Sequence, residues 1–186
     1  AYMTGYNAYQ SESLANNDVQ SGSRNSYNAA IDKNSYNDAY NAFNDAYTDL
    51  SKNPDNPNNP DMTGKSPAYS DAYSVAKSYL QGQYQQGVSQ FASGFSSGTG
   101  YTAVGSTAQA IQMLKKGYTD ALQGYKDALS GEQAATTITT SGAKSGFQEG
   151  QQLLGAVNDV ANKGKLTNPG GDPIYSLAFT AALKAK

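Results

Sequence analysis

The sequence predicts an all-α protein, an elongated array of three-helix-type bundle repeats with heptad-like seams of Tyr, Ala and Leu. Three observations predict it. All six prolines lie within residues 54–67 and 169–173, so long spans are free of this helix breaker. Aromatic and Leu side chains recur at steps of three and four residues, which is the period of one helix face. β-branched residues are sparse, with one cluster at residues 136–140, so little favours strands.

The proline-free spans and the hydrophobic stripes predict six helices, at about residues 1–20, 24–52, 67–93, 106–130, 132–163 and 173–186. Stripe residues are expected to be buried, Tyr40 and Leu122 among them. The stripes are Tyr36, Tyr40, Phe43, Tyr47 and Leu50; Tyr69, Tyr73, Ala76, Leu80, Tyr84, Gly87 and Phe91; and Ile111, Leu114, Tyr118, Leu122, Tyr125 and Leu129. Glycines 117, 124, 142, 146 and 150 predict close helix–helix contact in water.

A five-residue word, aromatic–any–Asp–Ala–aromatic or Leu, occurs at 36–40, 43–47, 69–73, 118–122 and 125–129. Its first and fifth residues are neighbours on a helix surface. A longer repeat spans about 106–116 residues, since Tyr2, Tyr6 and Tyr9 match Tyr118, Leu122 and Tyr125 at an offset of 116. We therefore predict a first repeat unit at 1–95 with a proline-rich loop at 53–67, a Gly/Ser break at 96–105, and a truncated second unit at 106–186.

Composition excludes several kinds of site. Cys, His and Trp are absent, which rules out disulfides, Cys/His zinc sites and Ser–His–Asp triads. The 13 basic and 15 acidic residues make no basic patch for nucleic acid, and no apolar run is long enough for membrane insertion. We expect a protein that is not an enzyme and has no cofactor or metal.

Two alternatives concern chemistry. The carboxylate pairs Asp38/Asp45 and Asp120/Asp127 leave a hydrolase as one alternative, but helix-surface aspartates such as these and Asp71 are expected to be solvated. The oxygen-rich loop 53–61 leaves calcium binding as another, although it lacks the spacing of an EF-hand.

Fifteen tyrosines are the remaining functional signal. Most lie on the stripes, where a core role is expected. Tyr27, Tyr79 and Tyr101 lie off them and are our candidate ligand-binding residues; Tyr101 lies in the Gly/Ser break, which follows Phe95. Exposed rings beside amide side chains stack on sugar faces and anchor protein interfaces. Contact with a neighbouring helix is the alternative role for each ring.

Tandem Tyr-x-Asp-Ala-Tyr helices with Asn, Gln and Ser surfaces, broken by Asn-Pro loops, resemble the helical repeat regions of cell-wall-anchored adhesion exoproteins of lactic acid bacteria. The resemblance covers nearly the whole chain. It implies an extracellular protein on the bacterial surface, held to the cell wall through regions not in this chain. It also implies adhesion to a host glycan or to a mucus or extracellular-matrix protein, with neighbouring repeats of the same chain as further partners. A helical spacer that projects another domain from the cell wall is the alternative function.

Overall fold

The computed structural model describes residues 2–55, 61–97, 100–105, 107–130 and 138–162. Within these ranges it contains five α-helices, one 3-10 turn and no strand, so the all-α prediction is confirmed. The elements are α1 (Tyr2–Ser21), the 3-10 turn (Tyr27–Ala29), α2 (Lys33–Lys52), α3 (Pro67–Ser97), α4 (Ala108–Ser130) and α5 (Ser141–Asn162). The helix predicted at 173–186 lies outside the described residues.

The second helix begins at Lys33 and not at residue 24, so the prediction of one helix over 24–52 is wrong at its start. Gly22 follows α1 with a φ of 67°, a left-handed conformation that suits glycine at a helix end. Asp32 then caps α2, since its Oδ1 accepts hydrogen bonds from the backbone N–H groups of Asn34 at 3.0 Å and Ser35 at 3.1 Å. Side-chain capping, which the hydrophobic period does not encode, sets this boundary.

Two further helix ends differ from prediction. The third helix is predicted to end at about residue 93, but α3 continues to Ser97, and Ser93 Oγ donates to the carbonyl of Ser89 at 2.9 Å. The helix predicted at 132–163 begins at Ser141, because Thr140 Oγ1 accepts the N–H of Ala143 at 3.2 Å and acts as the N-cap. Residues 131–137 lie outside the described part of the chain.

The chain groups into two compact units: Ala1–Tyr84 with Ala103–Leu114, and Gln85–Thr102 with Lys115–Lys186. The unit boundaries fall inside α3 and α4, whereas the sequence repeat places its boundary at 96–105. The two divisions differ because a repeat follows chain order, while a compact unit follows which side chains pack together.

Large aromatic residues form the seam of α3, as predicted. Every stripe residue of this helix is buried: Tyr69, Tyr73, Ala76, Leu80, Tyr84, Gly87 and Phe91. On α2 the seam lies partly on alanines, since Ala39, Ala42 and Ala46 are fully buried beside Tyr36 and Leu50. Tyr40 and Tyr47 are half-buried, so the expectation of a buried Tyr40 is wrong. An alanine seam lets the neighbouring element approach closely and leaves the larger side chains at its edge.

The seam of α4 is rotated toward small residues relative to the predicted stripe. Its buried positions include Ala110, Gly117, Ala121, Gly124 and Ala128, whereas Leu122 is half-buried and Leu129 is 41% exposed. The expectations for these two leucines are therefore wrong. The reason is the close approach of α5, because a Cβ on Gly124 would overlap the backbone of Ala143. The predicted glycine-mediated contact is confirmed at positions 124, 146 and 150.

Surface aspartates follow the prediction in part. Asp45 and Asp71 are exposed, as expected. Asp127 is only 7% exposed and accepts a hydrogen bond from Gln123 Nε2 at 2.7 Å, so its predicted solvation is wrong. Asp120 is half-buried and forms an ion pair with Lys116 at 3.2 Å.

Candidate functional site

Tyr27 lies in the 3-10 turn between α1 and α2 and is half-buried. Its ring meets the ring of Tyr36 edge to face, with centroids 5.2 Å apart. The ammonium of Lys33 lies 4.7 Å from the centroid of the Tyr27 ring and donates to the carbonyl of Tyr27. The first predicted binding ring is therefore held by α2, with part of its surface exposed.

Arg24, the single arginine of the chain, covers tyrosine rings near Tyr27. Its Cζ lies 4.6 Å from the centroid of Tyr40, 5.3 Å from that of Tyr27 and 5.7 Å from that of Tyr36. These distances are typical of cation–π contacts. The guanidinium thus occupies ring surface that a sugar would otherwise stack on.

Below this cluster, the carboxylate of Asp18 is 4% exposed. It accepts hydrogen bonds from the Ser26 N–H at 2.7 Å, from Ser26 Oγ at 2.8 Å and from the hydroxyl of Tyr36. Burial alone would raise the pKa of Asp18, but the hydrogen bonds from Tyr36 and Ser26 lower it. Burial and the bond to Asp18 raise the pKa of Tyr36 to about 12. The arrangement supports the loop and leaves little of the carboxylate free for a ligand.

The other two predicted binding residues lie elsewhere. Tyr79 is on α3 and Tyr101 is in the segment 100–105, and both are half-buried. The Tyr101 ring meets the Tyr118 ring at 5.6 Å, and its hydroxyl is shielded from solvent with no hydrogen-bond partner in the described part of the chain. The three predicted tyrosines therefore sit on three different elements, and their binding role stays a prediction.

An open polar pocket of about 360 Å³ in the first compact unit is a stronger candidate. Part of its wall comes from α2, and the rest from the segment before α3 and the first turn of that helix. Its lining residues are Asp45, Thr48, Asp49, Asp61, Thr63, Lys65 and Tyr69. The volume lies in the range of small-molecule sites.

Hydrogen bonds from α3 hold two of the pocket's carboxylates in place. The Tyr69 hydroxyl donates to Asp45 Oδ2 at 2.7 Å, and the Tyr73 hydroxyl donates to Asp49 Oδ2 at 2.9 Å. Burial raises the pKa of Tyr69 and Tyr73, and the bonded carboxylates raise it further. Both phenols therefore remain protonated donors at neutral pH.

The opposite wall is set by a turn before α3. The Thr63 N–H donates to Asp61 Oδ1 at 2.9 Å, and Gly64 has a φ of 73°, which a glycine adopts without strain. Hydrogen bonds from Thr63 lower the pKa of Asp61, and the charge of Lys65 adds to this. The Lys65 ammonium lies 4.3 Å from the centroid of the Tyr69 ring. The turn therefore places an ammonium and a carboxylate at the same opening.

The five-residue word contains a signal for this pocket. The prediction that helix-surface aspartates are solvated does not take it into account. Asp45 is the third residue of the word at 43–47, and Tyr69 is the first residue of the word at 69–73. Within one helix, the first and fifth residues of the word are neighbours. The hydrogen bond from Tyr69 to Asp45 shows that the aspartate of one word also binds the tyrosine of another.

The second compact unit has two smaller depressions on and near α5. One, of about 330 Å³, is lined by Gln148, Glu149, Gln151 and Gln152. The other, of about 290 Å³, is lined by Ile138, Lys144, Phe147, Gln148 and Gln151. Their linings are rich in amides, and they offer fewer charged groups than the pocket of the first unit.

Within the described residues, no three acidic side chains are grouped closely enough to hold a metal ion. Residues 56–60 of the oxygen-rich loop lie outside the described part, so the calcium alternative stays a prediction. None of the described helices combines the length and apolar character needed to cross a bilayer. No family model, curated protein or solved structure matches the chain.

Proposed function

We propose that this chain is a non-enzymatic, glycan-binding module of a bacterial cell-surface adhesin, with mucus or matrix glycans as its ligand. The observation that carries the proposal is the open pocket lined by Asp45, Asp49, Asp61 and Lys65. The resemblance to adhesion exoproteins supports the extracellular location and the host ligand.

The chemistry of the pocket suits a polyhydroxylated ligand. Carboxylate oxygens accept hydrogen bonds from sugar hydroxyls, and the Lys65 ammonium and the Thr48 and Thr63 hydroxyls can donate them. Charged partners give the stronger of these hydrogen bonds. The bonds from Tyr69 and Tyr73 to Asp45 and Asp49 fix the acceptors before a ligand arrives, which lowers the entropy cost of binding.

A glycan array followed by titration of the best glycan tests this proposal. Asp61→Asn and Lys65→Ala alter exposed pocket residues, so they should weaken binding about tenfold, roughly 1.4 kcal/mol, without changing the melting temperature. Asp71→Asn and Lys52→Ala are matched controls, since both residues are exposed and neither lines the pocket. Equal affinity in all four variants would place the ligand elsewhere.

The aromatic candidates are tested in the same titration. Tyr27→Ala, Tyr79→Ala and Tyr101→Ala should each weaken binding if their exposed ring surface contributes. Melting curves must accompany these measurements, because Tyr27 and Tyr101 also contact Tyr36 and Tyr118. Weaker binding with an unchanged melting temperature would support a direct role.

A helical spacer built from bundle repeats is the second candidate function. The internal repeat supports it, since α1 and α2 correspond in sequence to α4 and α5. At an offset of 114, Ala42 on α2 matches Ala156 on α5, and both are fully buried. A chain that binds no glycan, mucin or matrix protein, and whose length alone affects adhesion, would favour the spacer.

A further inference from the structure

The first turns of α1 carry an exposed aromatic surface. Tyr6 is 48% exposed and Tyr9 is 70% exposed, with Met3 at 64% beside them. The packed face of the same helix is formed by Ser11, Ala15, Asp18 and Val19. At 100° per residue, Tyr6 and Tyr9 lie on the side of α1 opposite to that face.

The same surface recurs on α4, where it is covered. Tyr6 and Tyr9 correspond to Leu122 and Tyr125 in the internal repeat, and Tyr2 corresponds to Tyr118. Within the second compact unit, the Phe91 ring lies 5.7 Å from both the Tyr118 and the Tyr125 rings. Phe91 belongs to the part of α3 that starts at Gln85 in this unit and precedes α4 in the chain.

We propose that the surface formed by Tyr6 and Tyr9 docks the third helix of a preceding repeat of the same kind, through a segment that resembles residues 85–97. This inference rests on the repeat architecture proposed above, and is independent of the glycan pocket. Phe91 of such a repeat would meet Tyr9 as Phe91 of this chain meets Tyr125.

Charge and shape both favour this occupant. Residues 85–97 contain no charged side chain, and neither do residues 2–11, so the contact would bury no ion. Aromatic pairs at such separations add stability beyond the area that they bury. The small residues Gly5 and Ala8 correspond to Ala121 and Gly124 on α4, so both helices have a groove beside the stripe.

The experiment uses a tandem chain in which residues 1–117 directly precede residues 2–186. Gly117 is then followed by Tyr2 in place of Tyr118, which keeps the repeat register, and the Phe91 of the first copy is in position to cover the second copy of α1. Hydroxyl-radical footprinting reports the exposure of Tyr9 in each copy. Trypsin cleaves after Lys116 and after Arg24, so the second-copy peptide begins with Gly117 and the first-copy peptide with Ala1, and their masses differ.

Oxidation of the second-copy Tyr9 should be several-fold slower than that of the first-copy Tyr9 in the same molecule. Equal rates in the two copies would overturn the proposal. Phe91→Ala in the first copy alone should restore the faster rate, and protection that survives this change would also overturn it. Phe91→Leu keeps the core filled if the alanine variant unfolds, and it should lower the protection without loss of helicity.

Two controls separate this proposal from others. In the 186-residue chain alone, Tyr9 should oxidise at the fast rate at every protein concentration, and protection that grows with concentration would assign the surface to a second copy instead. Glycan titration of the same 186-residue chain tests the pocket without the tandem contact. Failure of the docking proposal would therefore not decide the glycan proposal, and failure of the glycan proposal would not decide the docking proposal.

Discussion

At the residue scale, a few aspartates accept hydrogen bonds from buried or part-buried hydroxyl and N–H donors. Asp18 is the clearest case, because it accepts hydrogen bonds from the loop at Ser26 and from Tyr36 on α2. Each bond contributes about 1 kcal/mol, but a buried donor left unpaired costs more. Removal of the carboxylate should therefore lower the free energy of unfolding more than removal of any one donor.

Replacement of Asp18 by Ala should lower the free energy of unfolding by about 3 kcal/mol, since it leaves Tyr36 and the Ser26 N–H without their acceptor. Tyr36→Phe should cost about 1–2 kcal/mol, because the bond to Asp18 is lost while Asp18 keeps its bonds from Ser26. Urea unfolding at pH 7 measures both. Asp71→Ala is the control at an exposed aspartate and should stay within about 0.5 kcal/mol of the starting chain. Similar values for Asp18→Ala and Asp71→Ala would contradict this role.

Tyr101 gives a prediction of the opposite sign. Its hydroxyl is shielded from solvent and has no partner in the described part of the chain, while its ring contacts Tyr118. Tyr101→Phe should therefore raise the free energy of unfolding by about 1 kcal/mol, because an unpaired polar group is removed and the ring is kept. Thermal melting measures the change, with Tyr9→Phe at an exposed ring as the neutral control. A lower melting temperature for Tyr101→Phe would mean that the hydroxyl has a partner.

At the element scale, the contact between α4 and α5 depends on glycine. A Cβ on Gly124 would overlap the backbone of Ala143, and one on Gly146 would overlap that of Ala121. On Gly150 it would come within 2.6 Å of the Ala128 Cβ. The two helices must move apart to accept a methyl group at the first two positions, since backbone atoms cannot turn away as a side-chain end can.

Gly124→Ala and Gly146→Ala should each lower the free energy of unfolding by about 2–3 kcal/mol, as overpacked core changes do. Gly82 supplies the matched control, since it lies within α3 and a Cβ there would meet nothing within 4 Å. Gly82→Ala should raise stability by about 0.5–1 kcal/mol through helix propensity alone. Urea unfolding separates the two signs, and a stabilising Gly124→Ala would show that the helices can separate without cost.

The close contact between α4 and α5 explains why the sequence predicts the buried face of α3 correctly but not that of α4. On α3 the large residues form the buried seam, so a stripe such as Tyr69, Leu80 and Phe91 identifies it directly. On α4 the seam follows Ala121 and Gly124, and the larger Leu122 stays at its edge. Hydrophobic periodicity is recognised from large apolar side chains. It therefore does not identify a buried helix face that consists of small residues.

The candidate site was harder to predict than the helices. Tyr27, Tyr79 and Tyr101 lie off the hydrophobic stripes. This position predicts that their rings are partly exposed, but it does not predict that they bind a ligand. The pocket depends on Asp45 and Tyr69, which are 24 residues apart and are joined by a hydrogen bond between two elements. Local periodicity gives each residue its helix face and contains no information on which partner it meets.

At the scale of the whole molecule, the core of the described residues combines many alanines with buried tyrosines and with aliphatic side chains such as Leu50, Leu80 and Leu114. Buried tyrosines keep a polar end that needs a partner, and aspartates supply it at Tyr36, Tyr69 and Tyr73. This construction places buried, protonated phenols next to carboxylates. Stability should therefore depend on alkaline pH more strongly than in a protein with an aliphatic core.

The pH dependence follows from the direction of the tyrosine pKa shifts. Burial raises the pKa of Tyr36, Tyr69, Tyr73 and Tyr125, and hydrogen-bonded aspartates raise the first three further. Unfolded tyrosine has a pKa near 10. Below about pH 10 these phenols are protonated in both states and their contribution is complete. Above it the unfolded chain loses protons that the folded chain keeps, so the free energy of unfolding falls as pH rises toward the folded pKa values.

Each such tyrosine should contribute a slope of about 1.4 kcal/mol per pH unit from about pH 10 up to its own folded pKa, which is about 12 for Tyr36. Urea unfolding at several pH values from 8 to 12 measures the combined fall. Tyr73→Phe loses the bond to Asp49, so it should be less stable than the starting chain at pH 8 and should lose less stability at higher pH. Parallel pH curves for the starting chain and Tyr73→Phe would show that this phenol ionises as readily in the folded state as in the unfolded one.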